Sequence, residues 1–308
     1  SLRAALMLAI ASGHANIAQL LVDMVDEEGN TTLMLAAQCG DVETTSSLLR
    51  HHASAYTLNA AGKTALQLAA ENDHSAVMLA LATEVDEDGN DAVAVAAQSG
   101  DVASLRKLVD CRASLETKNS YGETALLLAA NNGHVDAVQV LVNAGVSLEV
   151  FDNEGSTAVV RAAMRGHADV LRVLVAAKAS PNVETKNEQS ALMFAAANGH
   201  FNAAQVLVDA GADLDVCDVG GFTALSIAAA AGHADVVKVL VAARAPLNIR
   251  NKKSATALQM AAAEGHACVV QVLLQAGARR EFKDEDGMTA LDLAKQANHE
   301  DVVALLSS

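Results

Sequence analysis

The chain has no tryptophan, two tyrosines and five phenylalanines, so aromatics make up only 2% of its 308 residues. Its core must therefore be Ala, Leu and Val at close helix–helix contacts. The four cysteines, Cys39, Cys111, Cys217 and Cys268, are scattered and show no C-x-x-C spacing. That argues against a disulfide framework and for a reducing, cytoplasmic compartment. Every apolar stretch meets a polar break before it reaches the length of a membrane span, and no leader pattern is present, so membrane insertion is not expected. Positive charge is scarce too: 21 basic against 37 acidic residues give a net charge of −16. A chain this acidic lacks the basic face that displaces counterions from nucleic acid. The imbalance is concentrated early, where residues 1–110 hold 15 acidic and 5 basic residues. One basic stretch, 236–253, runs against the trend with Lys238, Arg244, Arg250, Lys252 and Lys253. It reads either as a solvated finger or as a dock for an acidic partner.

What is present is a phrase that returns. Thr124-Ala125-Leu126 leads to Gly133-His134, and Thr157-Ala158-Val159 leads to Gly166-His167. The same phrase starts again at Thr223 and at Thr256, and the glycines fall at 133, 166, 199, 232 and 265. A fixed period of 33 marks a stack of units, each too small to bury its own apolar face. Length alone suggests about two domains, but the repeat predicts one continuous domain over 1–308. Its units run approximately 1–25, 26–59, 60–85, 86–119, 120–152, 153–185, 186–218, 219–251, 252–284 and 285–308. Thr31, Thr64, Asp91, Thr124, Thr157, Ser190, Thr223, Thr256 and Thr289 hold the helix N-cap position of units two to ten, and all are cap-forming types. Unit one has Ala4 there. The paired alanines allow close helix approach, Val236, Val237, Val239, Leu240 and Val241 form an apolar stripe, and the glycine before each His ends the first helix in a left-handed conformation.

The unit resembles the ankyrin repeat, whose pattern is roughly D-x-x-G-x-T-P-L-H-x-A-A-x-x-G-H followed by a second helix. The segment Gly221-Phe222-Thr223-Ala224-Leu225 through Ala228-Ala229 to Gly232-His233 carries the likeness best, with Ala210-Gly211-Ala212-Asp213-Leu214 as the loop ahead of it. The resemblance covers nearly the whole chain in ten copies. It implies an all-α solenoid of helix-turn-helix units with short β-hairpin fingers, acting as a non-enzymatic protein-binding scaffold. The final unit, from Thr289 to Val303, resembles a capping repeat. The opening residues lack Met and start inside a helical pattern, as expected of a piece of something longer.

Three departures from the family pattern stand out. The proline after the cap is absent throughout, which gives up a pre-set φ while Ala restores helix propensity. The first His of the pattern is replaced by Met7, Met34, Gln67, Ala94, Leu127, Val160, Met193, Ser226, Gln259 and Asp292, so its hydrogen bonds are expected to be lost. Two junctions, Gly13 to Gly40 and Asp73 to Gly100, each fall six short of the regular spacing, and the deletion predicts two truncated fingers. The segments Val25–Asn30 and Val85–Asn90 are close copies two units apart, as a duplicated two-unit block would place them.

No phosphate loop, nucleophile elbow or nucleophile–base set appears, so no catalytic residue, cofactor or metal is expected. Eight histidines, His14, His74, His134, His167, His200, His233, His266 and His299, share one slot per unit and read as loop-fixing structure. His51-His52 with Cys39 lacks metal-ligand spacing. Asp86-Glu87-Asp88-Gly89-Asn90-Asp91 has Asp91 and Ala97 where a calcium loop needs Gly and Glu.

The resemblance implies that a partner segment lies across the finger tips and first helices. The residues proposed to bind it are Tyr121, Phe151, Arg161, Met164, Arg165, Asn198 and Phe222. The three aromatics sit at or near finger tips, where exposed rings anchor interfaces, although Phe151 and Phe222 can instead pack on the next finger. Arg161 stands in a slot held elsewhere by Leu8, Leu35, Leu68, Val95, Leu128, Phe194, Ile227, Met260 and Leu293, and a neutral substitution is the plainer reading. Unit seven has Glu188 in place of the finger glycine. The expected partner is a protein, basic where it meets the acidic early units, with the chain a monomer or a subunit of a hetero-complex. A structural spacer in a large assembly, or the regulatory portion of a larger enzyme or channel, are the alternatives.

Overall fold

Each phrase folds as a helix pair because its caps and glycines stop the chain at fixed places. The computed structural model describes Val22 and residues 24–307, with eighteen helices among the described residues. Ala4, Met7, Gly13 and His14 of unit one lie outside the described residues. The chain divides into two compact units. The first holds residues 1–129 and 136–147, and the second 130–135 and 148–308.

In the first unit the helices are α1 (Thr32–Cys39), α2 (Val42–Arg50), α3 (Ala65–Glu71), α4 (Ser75–Ala82), α5 (Ala92–Ser99) and α6 (Val102–Asp110). Helices α7 (Ala125–Asn131) and α8 (Val135–Asn143) take residues from both lists. The second unit continues with α9 (Ala158–Arg165), α10 (Ala168–Ala176), α11 (Ala191–Ala197), α12 (Phe201–Asp209), α13 (Ala224–Ala230) and α14 (Ala234–Ala242). It ends with α15 (Ala257–Ala263), α16 (Ala267–Gln275), α17 (Ala290–Gln296) and α18 (Glu300–Ser307). First helices pack on first helices from α9 through α17, and second helices on second helices from α10 through α18. The alanine pairs are almost fully buried between layers, as at Ala195-Ala196 and Ala228-Ala229, and Leu171, Leu174, Leu207 and Leu240 fill the second-helix layer.

The predicted caps form at Thr31, Thr64, Asp91, Ser190, Thr223, Thr256 and Thr289, each accepting from the backbone N–H three residues on. Thr124 and Thr157 do not follow, because their buried hydroxyl oxygens have no hydrogen-bond partner. Both precede a fully buried apolar residue at the third helical position, Leu127 and Val160. That third position is the one the family fills with His. Its hydrogen bonds are not all lost, since Gln67, Ser226, Gln259 and Asp292 each accept from the cap residue's own N–H and close a reciprocal box. Gln259 also donates to the Phe282 and Met288 carbonyls of the next finger.

The slot glycines serve two needs at once. Gly232 has φ +76°, and a Cβ built there would lie 2.7 Å from the His266 ring of the next repeat. The same contact joins Gly40 to His74, Gly133 to His167, Gly166 to His200, Gly199 to His233 and Gly265 to His299. Each of these imidazoles then reaches a carbonyl of the preceding repeat, as His266 Nε2 does to Ala230 O at 3.0 Å. Facing a carbonyl, Nε2 must carry the proton. Asp73 and Asn298 hold the slot at φ +59° and +60° without glycine. The repeat after Asp73 brings Asp101 instead of His, so no ring presses on position 73.

The fingers are turns, and β pairing among the described residues is limited to the bridges Val25↔Thr31 and Glu184↔Ser190. An Asp or Asn organises most of them, with Thr185 in its place in repeat seven: Asp152 Oδ1 accepts from the N–H groups of Glu154 and Ser156 at 2.9 and 2.8 Å, an Asx turn too tight to extend a ladder. Asp86 does the same for Asp88 and Asn90, which accounts for the motif that superficially resembles a calcium loop. No cluster of metal-binding side chains occurs among the described residues.

The expectation of two truncated fingers is corrected by the complete Asp26–Asn30 and Asp86–Asn90 turns. At the second junction five of the six missing residues fall in the return loop and one in α4: three residues, 83–85, join α4 to the finger, where eight, 144–151, follow α8. Three residues span about 10 Å at most and eight about 27 Å. The short return displaces the next repeat, and α3 packs on α6 rather than along α5.

Candidate functional site

The seven residues proposed from sequence do not form one cluster. Tyr121 belongs to the first unit. It is 56% exposed, and its hydroxyl donates to Asp88 Oδ1 of the preceding finger at 3.3 Å. The Asp88 charge, and then that hydrogen bond, raise its phenol above the ordinary value. The other six belong to the second unit.

Arg161 turns away from the open face. Its Nε donates to Asp152 Oδ2 at 2.8 Å and its Nη2 lies 2.6 Å from the same oxygen. The Asp152 side chain is wholly buried and that of Arg161 only 17% exposed. The Asx turn uses one carboxylate oxygen and the guanidinium the other, so Arg161 fixes its own finger. Met164 is half-buried and Arg165 exposed, with Arg165 Nε donating to Asn131 Oδ1 at 3.3 Å. Asn198 is exposed and donates to the Phe194 carbonyl at 2.9 Å and the Met164 carbonyl at 3.4 Å. Phe151 is 45% exposed. Phe222 folds back over its own finger, and a Cβ on Gly220 would lie 2.7 Å from its ring.

Phe222 also walls a hollow of about 510 Å³ that the sequence did not reveal. Phe194, Ile227 and Met260 line it from α11, α13 and α15, with Ala231 at the end of α13 beside them. These three occupy the register slot that Arg161 fills one repeat earlier. With Arg161 pinned to Asp152, the slot is apolar in the second unit from repeat seven onward. The left-handed finger residue of repeat seven, Glu188 at φ +59°, has a counterpart in Ser254 at φ +60° in repeat nine. A non-glycine finger therefore does not single out repeat seven.

The basic stretch is partly engaged. Lys238 pairs with Asp235 at 2.9 Å. Arg250 donates to the Ser254 and Lys283 carbonyls and stands over the Phe282 ring. His51 Nδ1 faces the Ser47 carbonyl at 2.7 Å, and among the described residues every cysteine is free. No helix among the described residues is long and apolar enough to cross a membrane.

Comparison with known proteins agrees with this geometry. A curated relative, a homolog of transient receptor potential cation channel subfamily A member 1 from Caenorhabditis elegans, is 34% identical over 116 residues. That match covers 35% of this chain, which spans about a tenth of the relative's length (10%). The crystal structure of the ankyrin repeat domain of Bcl-3, of the IkappaB protein family, matches with a TM-score of 0.64 and 26% identity. It covers 72% of this chain and 100% of that one. The family described as ankyrin repeats (3 copies) matches residues 2–57, 40–119, 93–185, 177–251 and 243–308. With that coverage from end to end, the chain belongs to the ankyrin repeat family.

Proposed function

We propose that this chain is a non-enzymatic scaffold that holds a segment of a partner protein against the first helices and fingers of its second unit. Ankyrin repeats are a protein-interaction module, and the apolar hollow walled by Phe194, Phe222, Ile227 and Met260 is the observation that carries the placement. A side chain of the partner enters the hollow and leaves water behind, worth about 25 cal/mol per Å² of apolar surface covered. In this reading the partner continues over Met164, Arg165, Asn198 and Phe151 toward repeat six, and Arg161 acts through the finger it fixes. The test is a quantitative pull-down from native lysate with the full chain and with Ala231→Arg, which blocks the hollow from an exposed position. A protein retained by the wild type and lost by the variant, at equal helicity, supports the placement. Identical recovery refutes it.

A second reading rests on the 116-residue likeness to the channel homolog: the repeats are the regulatory portion of a larger channel. An immunoblot of native membranes with antibody to the repeats separates the two readings. A membrane-bound band far above 31.6 kDa favours the channel.

A further inference from the structure

A different feature of the first unit is the step between repeats three and four. Because α3 and α5 do not pack along each other, a gap of about 350 Å³ opens between their repeats, lined by Leu58, Thr64, Gln67, Val95, Gln98 and Asp101. Gln67 Nε2 crosses it to Asp101 Oδ2 at 2.9 Å. A second hollow of about 560 Å³ lies behind the finger, bounded by Ala55, Glu84, Val85, Glu87 and Asp88. Tyr56 and Asp86 line both. Tyr56 occupies the place left by the shortened return loop: its hydroxyl donates to the Glu84 carbonyl at 2.6 Å, with that of Asn90 at 3.1 Å as an alternative.

Apolar surface and charge of one sign meet there. Leu58 is 60% exposed and Val85 56%, beside the carboxylates of Glu84, Asp86, Glu87, Asp88 and Asp101. The lysines of an adjoining hollow are already paired, Lys63 with Glu71 at 2.7 Å and Lys107 with Asp73 at 2.6 Å. Both hollows fall in the size range of ligand pockets, and the deletion that made them belongs to this chain's own spacing.

We propose that the step between repeats three and four is a second docking site, for a partner segment that presents a leucine-sized or aromatic side chain flanked by arginine or lysine. The apolar side chain enters between Leu58 and Val95, and the flanking cations face Glu87 and Asp88. Long-range attraction by the acidic early repeats raises the rate of encounter, and the gap supplies the selectivity. The site stands independently of the hollow in the second unit.

The test uses the full chain and a short fluorescein-labelled peptide with leucines set between arginine pairs. One leucine is replaced by a photo-crosslinking phenylalanine analogue. Binding is expected to weaken at least ten-fold in Leu58→Arg and at least three-fold in Glu87→Gln/Asp88→Asn, with helicity unchanged. Crosslinks are expected within residues 52–101, and a glutamate–leucine peptide is expected not to bind. A control, Glu264→Gln/Glu285→Gln, removes the same charge from the second unit and is expected to leave binding intact. Crosslinks outside 52–101, equal weakening by the control, or equal binding of the acidic peptide overturns the proposal in favour of diffuse charge attraction.

Discussion

Replacing Gly232 with alanine perturbs two things that can be separated. The first is the left-handed backbone at φ +76°, which costs an L-residue about 1–2 kcal/mol. The second is the His266 ring, 2.7 Å from where the new Cβ would sit. The ring must move, and its Nε2 bond to Ala230 O at 3.0 Å is lost or stretched, for a further cost of about 1 kcal/mol. Gly211 isolates the first cost: its φ is +82° and nothing lies within 4 Å of its built Cβ. Gly232→Ala should therefore destabilise by about 2–3 kcal/mol and Gly211→Ala by about 1–2 kcal/mol. Loss of unfolded-chain entropy is common to both and cancels in the comparison. Repeat stacks can open segment by segment, so the measurement is hydrogen exchange across residues 224–276 alongside urea melts followed by helicity. In a His266→Ala background the extra cost at Gly232 should vanish. Equal costs for the two alanines, or no coupling to His266, refute the assigned role of the ring.

Thr157→Val removes a buried hydroxyl oxygen that has no partner and should leave stability unchanged or raise it, whereas Thr256→Val breaks a reciprocal cap and should cost about 1 kcal/mol; thermal melts of the pair check this. Arg161→Met leaves the buried Asp152 carboxylate without its cation and should destabilise by about 3 kcal/mol, read by urea melts and by faster exchange at Glu154 and Ser156. Asp101 is held below the ordinary carboxylate range, because burial opposes its charge but bonds from Gln67 and Ser104 outweigh that opposition. A depressed folded-state value contributes stability above the unfolded pKa of about 3.9, and that stability is lost as pH falls through the folded value. Asp101→Asn should accordingly flatten the acid limb of the first unit's stability below about pH 4, as followed by helicity.

The periodic part of the fold was legible because each signature residue acts within its own turn: a Thr caps the helix it precedes, and a glycine permits the turn it occupies. Contacts between repeats were harder to read. Nothing in the local sequence says that Arg161 reaches back to Asp152, since the neighbouring Glu154 offers a carboxylate of the same sign. Phe194, Ile227 and Met260 were visible as members of one slot, yet the hollow exists because three repeats set those side chains in line. The six-residue deletion was seen and assigned to the fingers. The Asp86–Asn90 turn keeps all its hydrogen-bonding residues, and the loss fell where only chain length mattered. Tyr56 attracted no notice because its role depends on a gap that opens only where α4 gives way to the shortened return loop. Ser254 was likewise missed, since serine carries no marker for a left-handed turn.

Because every slot glycine from Gly133 to Gly265 meets the same imidazole of the following repeat, the seams there are copies of one another and the whole repeat is an exchangeable piece. Removing or duplicating one unit between Gly133 and Gly265 sets a glycine against a histidine again. Position 73 holds no glycine and the next repeat brings Asp101 rather than a histidine, so the boundary between repeats three and four lacks that pairing. Whole-unit insertions and deletions should be tolerated at Gly166, Gly199, Gly232 and Gly265, whereas a His-bearing unit set after Asp73 would bring a ring against its Cβ. The seam that opens the gap is thus one into which the regular unit cannot simply be copied.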